Sequence, residues 1–311
     1  MFCFCTDKCY TGATNSKEKS KQTIIPHLWY DTEAKEAVAF YVELFGGKLD
    51  WTYTITDTPS GDSDLIQFQL GDMTLAAISA GPYFKLNESM SLMVNVASKD
   101  EVTRLYQALS EGGRILMPLG EYPFSPYYVW LEDRFGLSWQ LSYAPYLDKP
   151  YQFDICLLFS QEQVGLAQPM LDYYKDKLHQ ARLGRLSYYG EGEAAVAAAK
   201  LNYAELFIGD QKIIVMDHGY GGEASFNEAF SFMVYVDSQE EAESWYEKVS
   251  AVPEAEICGW AKDQFGLSWQ IVLRILMEAY DTASPEKVKA VNAAVMTMKR
   301  LDIAAIQALL N

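Results

Sequence analysis

The sequence predicts an α+β protein built from two tandem copies of one domain, each with two βαβββ modules, followed by a helical tail. Three observations predict this fold class. The segments WLEDRFGLSWQL (130–141) and WAKDQFGLSWQI (260–271) are identical at eight of twelve positions. SLMVNV (91–96) and SFMVYV (231–236) form a second matching pair in the same order. Strand-like and helix-like apolar patterns also follow one another in the same order in both halves.

In copy one, apolar segments and glycine breaks separate the predicted strands from the predicted helices. IIPHLWY (24–30) is predicted as the first strand. EAKEAVAFYVELF (33–45) has the apolar spacing of a helix, which Gly46-Gly47 ends. Three strands follow near 48–57, 64–70 and 73–80. The strand SLMVNV, the helix KDEVTRLYQALSEGG and two or three short strands complete the copy.

Copy two repeats this order. Its strands are predicted at 152–159, near 182–189, 201–208 and 211–217, at SFMVYV and at 266–272; its helices are predicted at 162–178 and in SQEEAESWYEKVS. The two matching pairs are 130 and 140 residues apart, so copy two is ten residues shorter between its central and final strands. The predicted division is a flexible tail over 1–22, domains over 23–147 and 148–273, and C-terminal helices over 274–311 that pack on the domains.

Charge and hydropathy exclude several classes of function. The chain has 311 residues with 25 Lys and Arg against 42 Asp and Glu, a net charge of −17. Such an acidic protein repels phosphate backbones and anionic lipid, so we expect no nucleic-acid partner and no membrane docking. No apolar run reaches the roughly 18 residues of a membrane span, and no secretory signal is visible. These observations predict a cytoplasmic protein.

Five cysteines are too few, and odd in number, for a disulfide scaffold. Cys3, Cys5 and Cys9 lie in the N-terminal tail, whereas Cys156 and Cys258 stand alone in apolar surroundings. The tail cluster lacks the paired C-x2-C spacing of a structural zinc site. We interpret it as an oxidisable segment, with a soft-metal site as the alternative.

With these elements in place, the sequence resembles the vicinal oxygen chelate superfamily, which includes glyoxalase I and the extradiol dioxygenases. Four βαβββ modules and two D-x-F-G-L-S-W-Q strands carry the resemblance. It is closer to the PhnB-like branch, often labelled 3-demethylubiquinone-9 3-methyltransferase, in CGWAKDQFGLSWQIV (258–272), GPYFKLNESMSLMV (81–94) and SPEKVKAVNAAVMTMKRLDIAAI (284–306). The resemblance covers residues 24–310 and implies tandem glyoxalase-like domains. Methyl transfer is not expected, because no glycine-rich turn follows the first strand.

The resemblance also implies where a metal would bind, with ligands on the first, fifth and last strands of a cupped sheet. The matching positions hold mostly neutral side chains: Ile25 and Asp154, Ser91 and Ser231, and Gln140 and Gln270. Amide and hydroxyl oxygens are poor replacements for the carboxylate and imidazole groups of such sites. No cofactor is therefore expected. A divalent metal is the alternative, with His27 and Gln140 as its candidate ligands.

Strand periodicity independently places polar residues on one face of these strands. The apolar face is expected under the helices and the polar face in the cup. The cup of copy one is predicted to hold His27, Trp29, Ser91, Asn95 and Gln140. The cup of copy two is predicted to hold Asp154, Cys156, Ser231, Tyr235, Ser268 and Gln270. The alternatives are a structural role for His27 and backbone hydrogen bonding for both glutamines.

The predicted function is the binding of a small molecule in the cup of domain 1. One alternative is a divalent-metal-dependent lyase, isomerase or dioxygenase of the same superfamily, so whether the protein is an enzyme stays open. Another is a structural or regulatory module whose two cups are degenerate. The linker APYLDKPY (144–151) spans at most about 28 Å, which predicts that the two domains pair within one chain, with a homodimer as a further option.

Overall fold

The fold of residues 23–311, described by a computed structural model, is the predicted α+β class. The tail over 1–22, with Cys3, Cys5 and Cys9, lies outside the described residues. The first module contains β1 (Ile25–Tyr30), α1 (Ala34–Phe45), β2 (Lys48–Thr58), β3 (Gly61–Leu70) and β4 (Met73–Ser79). The second module contains β5 (Met90–Val96), α2 (Lys99–Ser110), β6 (Arg114–Tyr122), β7 (Ser125–Glu132) and β8 (Ser138–Tyr143).

Copy two repeats this order with one strand fewer. The third module contains β9 (Tyr151–Phe159), α3 (Ala167–Lys177), β10 (Ala181–Tyr188), β11 (Leu201–Ile208) and β12 (Gln211–Asp217). The fourth module contains β13 (Phe230–Val236), α4 (Gln239–Val249), β14 (Trp260–Lys262) and β15 (Ser268–Leu273). A short 3-10 helix (Pro253–Ala255) stands where copy one has β6. This is where copy two is ten residues shorter.

The strands form two mixed sheets, and each sheet combines one module from each copy. The seven-stranded sheet has the order β14-β15-β13-β1-β4-β3-β2, and the eight-stranded sheet has the order β10-β11-β12-β9-β5-β8-β7-β6. The copies join where β1 pairs with β13 and β5 pairs with β9, both antiparallel. The loops before β5 and β13 repeat this exchange, because Asn87 donates to the carbonyl of Ser225 and Asn227 donates to that of Lys85.

This pairing overturns the predicted grouping of polar residues into one cup per copy. The alternation of side chains along a strand indicates which of its faces is buried, but it does not identify the neighbouring strand with which it pairs. The sequence therefore assigned faces correctly, while the module that completes each sheet comes from the other copy.

Helices α1 to α4 and the covered faces of both sheets share one apolar core. Within each copy, the repeated Asp that stands two residues before FGLSWQ links the two modules through this core. Asp133 accepts hydrogen bonds from Tyr41 of α1 at 2.6 Å and from the indole of Trp139 at 2.8 Å. Asp263 is bonded in the same way by Tyr174 and Trp269.

The same aspartates also hold the turn that precedes the last strand. Asp133 accepts from the backbone N–H groups of Phe135 and Leu137, and Asp263 repeats this pattern. The turn needs a positive φ, which Gly136 supplies at +84° and Gly266 at +89°. Burial raises the pKa of both carboxyl groups, although four donors oppose the shift.

The C-terminal segment forms α5 (Arg274–Thr282), α6 (Pro285–Val295) and α7 (Ile303–Leu310). These helices bury Leu276, Val291 and Ile306 against the rest of the protein. The ring of Tyr280 on α5 stacks on Tyr53 of β2, with 4.8 Å between ring centroids. None of the helices within residues 23–311 has the length and apolar character needed to cross a membrane.

Candidate functional site

Each sheet has a face opposite helices α1 to α4, and these two faces carry the candidate sites. We call this face cup 1 in the seven-stranded sheet and cup 2 in the eight-stranded sheet. In cup 1, the strand register places His27 beside Ser231, and Gln270 lies on the same face of β15. In cup 2, the register places Cys156 beside Ser91, with Gln140 on the same face of β8.

The centre of cup 1 is a short chain of buried polar groups. Gln270 donates from Nε2 to Ser231 Oγ at 2.9 Å, and Ser231 Oγ lies 3.4 Å from His27 Nδ1. His27 is 1% exposed, and burial lowers its pKa from 6.5 to about 3. The imidazole is therefore neutral at pH 7, so this centre offers hydrogen bonds without a formal charge.

Apolar and aromatic side chains surround the polar centre of cup 1. Ile25, Ala76 and Met233 form a small apolar cluster of their own, separate from the main core. Trp29 and Trp260 meet edge to face at 6.2 Å between ring centroids, and Trp260 lies 6.1 Å from the His27 ring. These side chains give the cup an apolar floor and an aromatic wall.

One end of cup 1 is closed by a contact across the sheet. Tyr235 on β13 donates to Gln67 Oε1 on β3 at 3.1 Å, although β1 and β4 lie between these strands. The sheet must therefore curl toward itself at this level. The guanidinium of Arg274, at the start of α5, lies 5.2 Å from the Tyr235 ring. Because Tyr53 faces cup 1, its stack with Tyr280 places α5 on this side of the sheet.

Cup 2 has a matching polar centre. Gln140 donates to Ser91 Oγ at 2.8 Å and accepts from Tyr128 Oη at 2.6 Å. Cys156 occupies the place that His27 has in cup 1 and is 1% exposed. Burial raises the pKa of its thiol to about 12, so the thiol is protonated and a weak nucleophile at pH 7.

Cup 2 also contains a charged cluster beside its polar centre. Lys212 Nζ lies 2.9 Å from Asp154 Oδ2 and 4.0 Å from Glu205 Oε1. Asn95 and Gln152 donate amide hydrogen bonds to Asp154, which is 2% exposed. Burial raises the pKa of Asp154, and the Lys212 ammonium opposes that shift.

All the predicted site residues lie on the sheet faces opposite the helices, but they are divided between the two cups differently from the prediction. Cup 1 brings together His27, Trp29, Ser231, Tyr235, Ser268 and Gln270. Cup 2 brings together Ser91, Asn95, Gln140, Asp154 and Cys156. The prediction that His27 shares a cup with Ser91, Asn95 and Gln140 is wrong, because β1 joins β13 of the other copy.

Sequence reasoning missed Lys212, Glu205 and Trp260 as cup residues. In QKIIVMD (β12), alternation places Lys212 on the face opposite its apolar neighbour Ile213, which was the available signal for Lys212. Its proximity to Asp154 depends on the parallel pairing of β12 with β9, which side-chain alternation does not indicate.

The donor set does not fit the divalent metal that the superfamily implies. Within the part of the chain that the structure describes, no three His, Cys, Asp or Glu side chains gather into a group that could hold a metal ion. The two candidate ligands, His27 and Gln140, lie in different sheets, so they cannot bind one ion together. The superfamily positions in cup 1 hold amide and hydroxyl oxygens, which are weak ligands without a carboxylate beside them.

Comparison with known proteins identifies the family. The sequence model described as 3-demethylubiquinone-9 3-methyltransferase matches residues 22–142 and 151–272, one match for each copy. The chain belongs to this PhnB-like family. It is 31% identical to the PhnB protein of Bacillus cereus, with 40% of this chain and 100% of that chain covered and a TM-score of 0.37. It is also 31% identical to protein PA1353 from Pseudomonas aeruginosa, with 39% and 97% covered and a TM-score of 0.36.

A solved structure that covers most of the PhnB-like chain supports its fold. Glyoxalase I from Zea mays is 14% identical, with 83% of this chain and 96% of that chain covered and a TM-score of 0.54. The comparison with curated proteins gives no match. The methyltransferase wording is a family label, and the turn from β1 to α1 (31–33) contains none of the glycines of a sulfonium cofactor site.

Proposed function

We propose that this PhnB-like protein binds small organic molecules in cups 1 and 2 and orients them through buried polar groups. The repeated pairs Gln270–Ser231 and Gln140–Ser91 carry the proposal. Both pairs lie on the sheet face opposite helices α1 to α4, where a purely structural core would favour apolar side chains. A few polar groups among apolar ones are the usual lining of a small-molecule site.

Cup 1 suits a neutral and largely apolar ligand. Its floor is formed by Ile25, Ala76 and Met233, and its wall by Trp29 and Trp260. The His27 imidazole is uncharged at pH 7, so the polar centre offers hydrogen bonds without attracting an ion. A flat ring could contact the indoles while one polar atom meets Gln270.

The proposal contains no resident metal and no reaction. The mostly neutral side chains at the superfamily positions support this choice, and the one carboxylate among them, Asp154, is paired with Lys212. A divalent-metal enzyme is the alternative that elemental analysis tests. We expect less than about one tightly bound divalent ion per purified chain. Cytoplasmic location and the absence of nucleic-acid partners stay predictions from charge and hydropathy.

The test uses 5-fluorotryptophan and 19F NMR, because the tryptophans divide by position. Trp29, Trp51 and Trp260 face cup 1, and Trp130 faces cup 2. The remaining three, on the helix side of the sheets, are internal controls: Trp139, Trp245 and Trp269. The probes are any ligand found by native mass spectrometry and a library of neutral aromatic fragments.

We expect ligands that shift the signals of cup-facing tryptophans and leave the other three unchanged. Gln270→Leu is expected to weaken binding in cup 1 by about 10-fold, the effect of one lost hydrogen bond. Gln140→Leu is the matched control, since it makes the same change in the other cup. The proposal fails if no ligand acts selectively on the cup-facing signals, or if both substitutions weaken every ligand equally.

A further inference from the structure

Two arginines in copy two differ from every other arginine of the chain. All the others lie within 4 Å of a carboxylate: Arg104, Arg114, Arg134, Arg274 and Arg300. Arg182 and Arg185 have no ion pair and no side-chain hydrogen bond to any residue between 23 and 311. The protein has 42 Asp and Glu residues against 25 Lys and Arg residues, so carboxylates are abundant. Two arginines without an ion pair are therefore unusual in this chain.

Both guanidinium groups lie on the cup 2 face of β10, the edge strand of its sheet. Arg182 pairs in register with Phe207, which pairs with Lys212 on the next strand. A register shift between Leu183 and Leu186 turns Arg185 to the same face. Gly184 occupies this bulge, where a Cβ atom would lie 2.6 Å from Glu205 Oε2 and 2.7 Å from the Phe207 ring.

Each guanidinium group lies over an aromatic ring. The Arg182 Cζ atom lies 3.8 Å from the centroid of the Phe207 ring, and that of Arg185 lies 5.3 Å from the centroid of Tyr203. A guanidinium that stacks on a ring still presents its N–H donors in its own plane. These in-plane donors suit the two oxygens of a carboxylate or a phosphate.

The surrounding charges also favour an anion. The Glu205 and Asp154 carboxylates, which would repel it, are both engaged by Lys212. Glu205 also accepts from Tyr203 Oη and from the Arg185 backbone N–H, and these bonds help to lower its pKa. Arg182, Arg185 and Lys212 therefore give three positive charges against the two carboxylates, so the cluster as a whole has a formal charge of plus one.

Cup 1 has a different set of charges at the equivalent strand positions. Lys48 stands in register where cup 2 has Arg182, but its ammonium forms an ion pair with Asp50 at 3.5 Å, and Asp50 also accepts from Gln67 and Gln69. The register places Gln67 where cup 2 has Glu205, and Thr74 and Gln69 correspond to Lys212 and Phe207. The two copies thus differ in charge at the same place in the fold. This contrast argues that the two cups select different ligands.

We propose that cup 2 binds a small organic anion whose carboxylate or phosphate group is held by the N–H donors of Arg182 and Arg185. The remainder of the anion extends along the cup toward Lys212 and Gln140. This inference rests on the proposed function, because it names the ligand class of one of the two cups.

The test measures the Arg Nε–H NMR signals and the dissociation constants of benzoate, phenyl phosphate and neutral benzamide. Benzoate and phenyl phosphate separate the two anionic groups, and benzamide keeps the ring while removing the charge. Arg182→Gln and Arg185→Gln each remove one guanidinium. Arg134→Gln is the matched control, because the Arg134 guanidinium also lies over aromatic rings, 4.2 Å from the Phe40 centroid and 4.5 Å from the Phe135 centroid, but in the turn before β8, beside α1 and outside both cups.

We expect at least one anion to shift the Arg182 and Arg185 signals and to bind at least about 10-fold more tightly than benzamide. Each cup 2 substitution should weaken that anion by about 10-fold or more, and Arg134→Gln should leave it unchanged. The inference is overturned if neither anion binds at about 10 mM, or if the control and the cup 2 variants behave alike. Selective binding of neutral fragments in the cups would then still support the proposed function.

Discussion

Replacing Asp133 with alanine tests whether the helix layer holds the two modules of copy one together. Asp133 is 4% exposed and accepts four hydrogen bonds, from Tyr41, Trp139 and the backbone of Phe135 and Leu137. Alanine leaves these donors without an acceptor, and each buried unpaired donor costs about 1–3 kcal/mol. Removing a carboxyl group whose pKa is raised by burial offsets part of this loss. We expect the free energy of unfolding to fall by about 4 kcal/mol.

The assay is urea unfolding, followed by circular dichroism, together with a thermal scan in which Tm should fall by about 10 °C. Asp72→Ala is the matched control, because the Asp72 side chain is 83% exposed and forms a surface ion pair with Lys149. This control should change the free energy of unfolding by less than about 1 kcal/mol. Similar losses of stability in the two variants would refute the reasoning that Asp133 joins the modules.

The buried histidine, the pairing of modules and the C-terminal helices each give a further expected outcome. Because burial lowers the pKa of His27 from 6.5 to about 3, the free energy of unfolding should fall as the pH drops through this range. In urea unfolding, His27→Gln should reduce this pH dependence by up to about 1.4 kcal/mol per pH unit. An unchanged pH dependence in the variant would contradict this prediction. Residues 23–147 alone should dimerise, because β1 and β5 lose β13 and β9, and a monomer in light scattering would contradict the pairing. Truncation after Leu273 should lower Tm and promote aggregation, because Leu276, Val291 and Ile306 help to bury the surface beneath them; a truncated chain as monodisperse and heat-resistant as the intact one would count against this packing.

The sequence was sufficient for the elements because local patterns determine them. The stripe in 33–45 and the break at Gly46-Gly47 predicted α1, which spans Ala34–Phe45. The ten residues missing from copy two fall where the structure has a short 3-10 helix in place of a strand. Pairing between strands was not predictable in this way. An edge of β1 can accept either of two similar strands, SLMVNV or SFMVYV, and only packing of the whole chain selects the second.

The same limit explains which parts of the site were found. Side-chain alternation placed His27, Ser231 and Gln270 on the polar face of their strands, and the structure keeps them there. It could not indicate that Lys212 contacts Asp154, since this contact lies between two parallel strands of one module. Arg182 and Arg185 were missed because an uninterrupted strand would place them on opposite faces, and the bulge at Gly184 puts both on one face.

The repeat itself separates the parts that support the fold from the parts that select ligands. Within FGLSWQ, the tryptophans and the aspartates before them hold the helix layer that both sheets share, so the two copies need the same side chains there. Toward the outer strands the copies differ, with Gln67 against Glu205 and Thr74 against Lys212. Each module belongs to a single sheet, so a change on the cup-facing side of one module alters one cup and leaves the other cup intact. A duplicated chain paired in this way can therefore diversify two sites on a common core, and the positions where the copies disagree are the ones to substitute first.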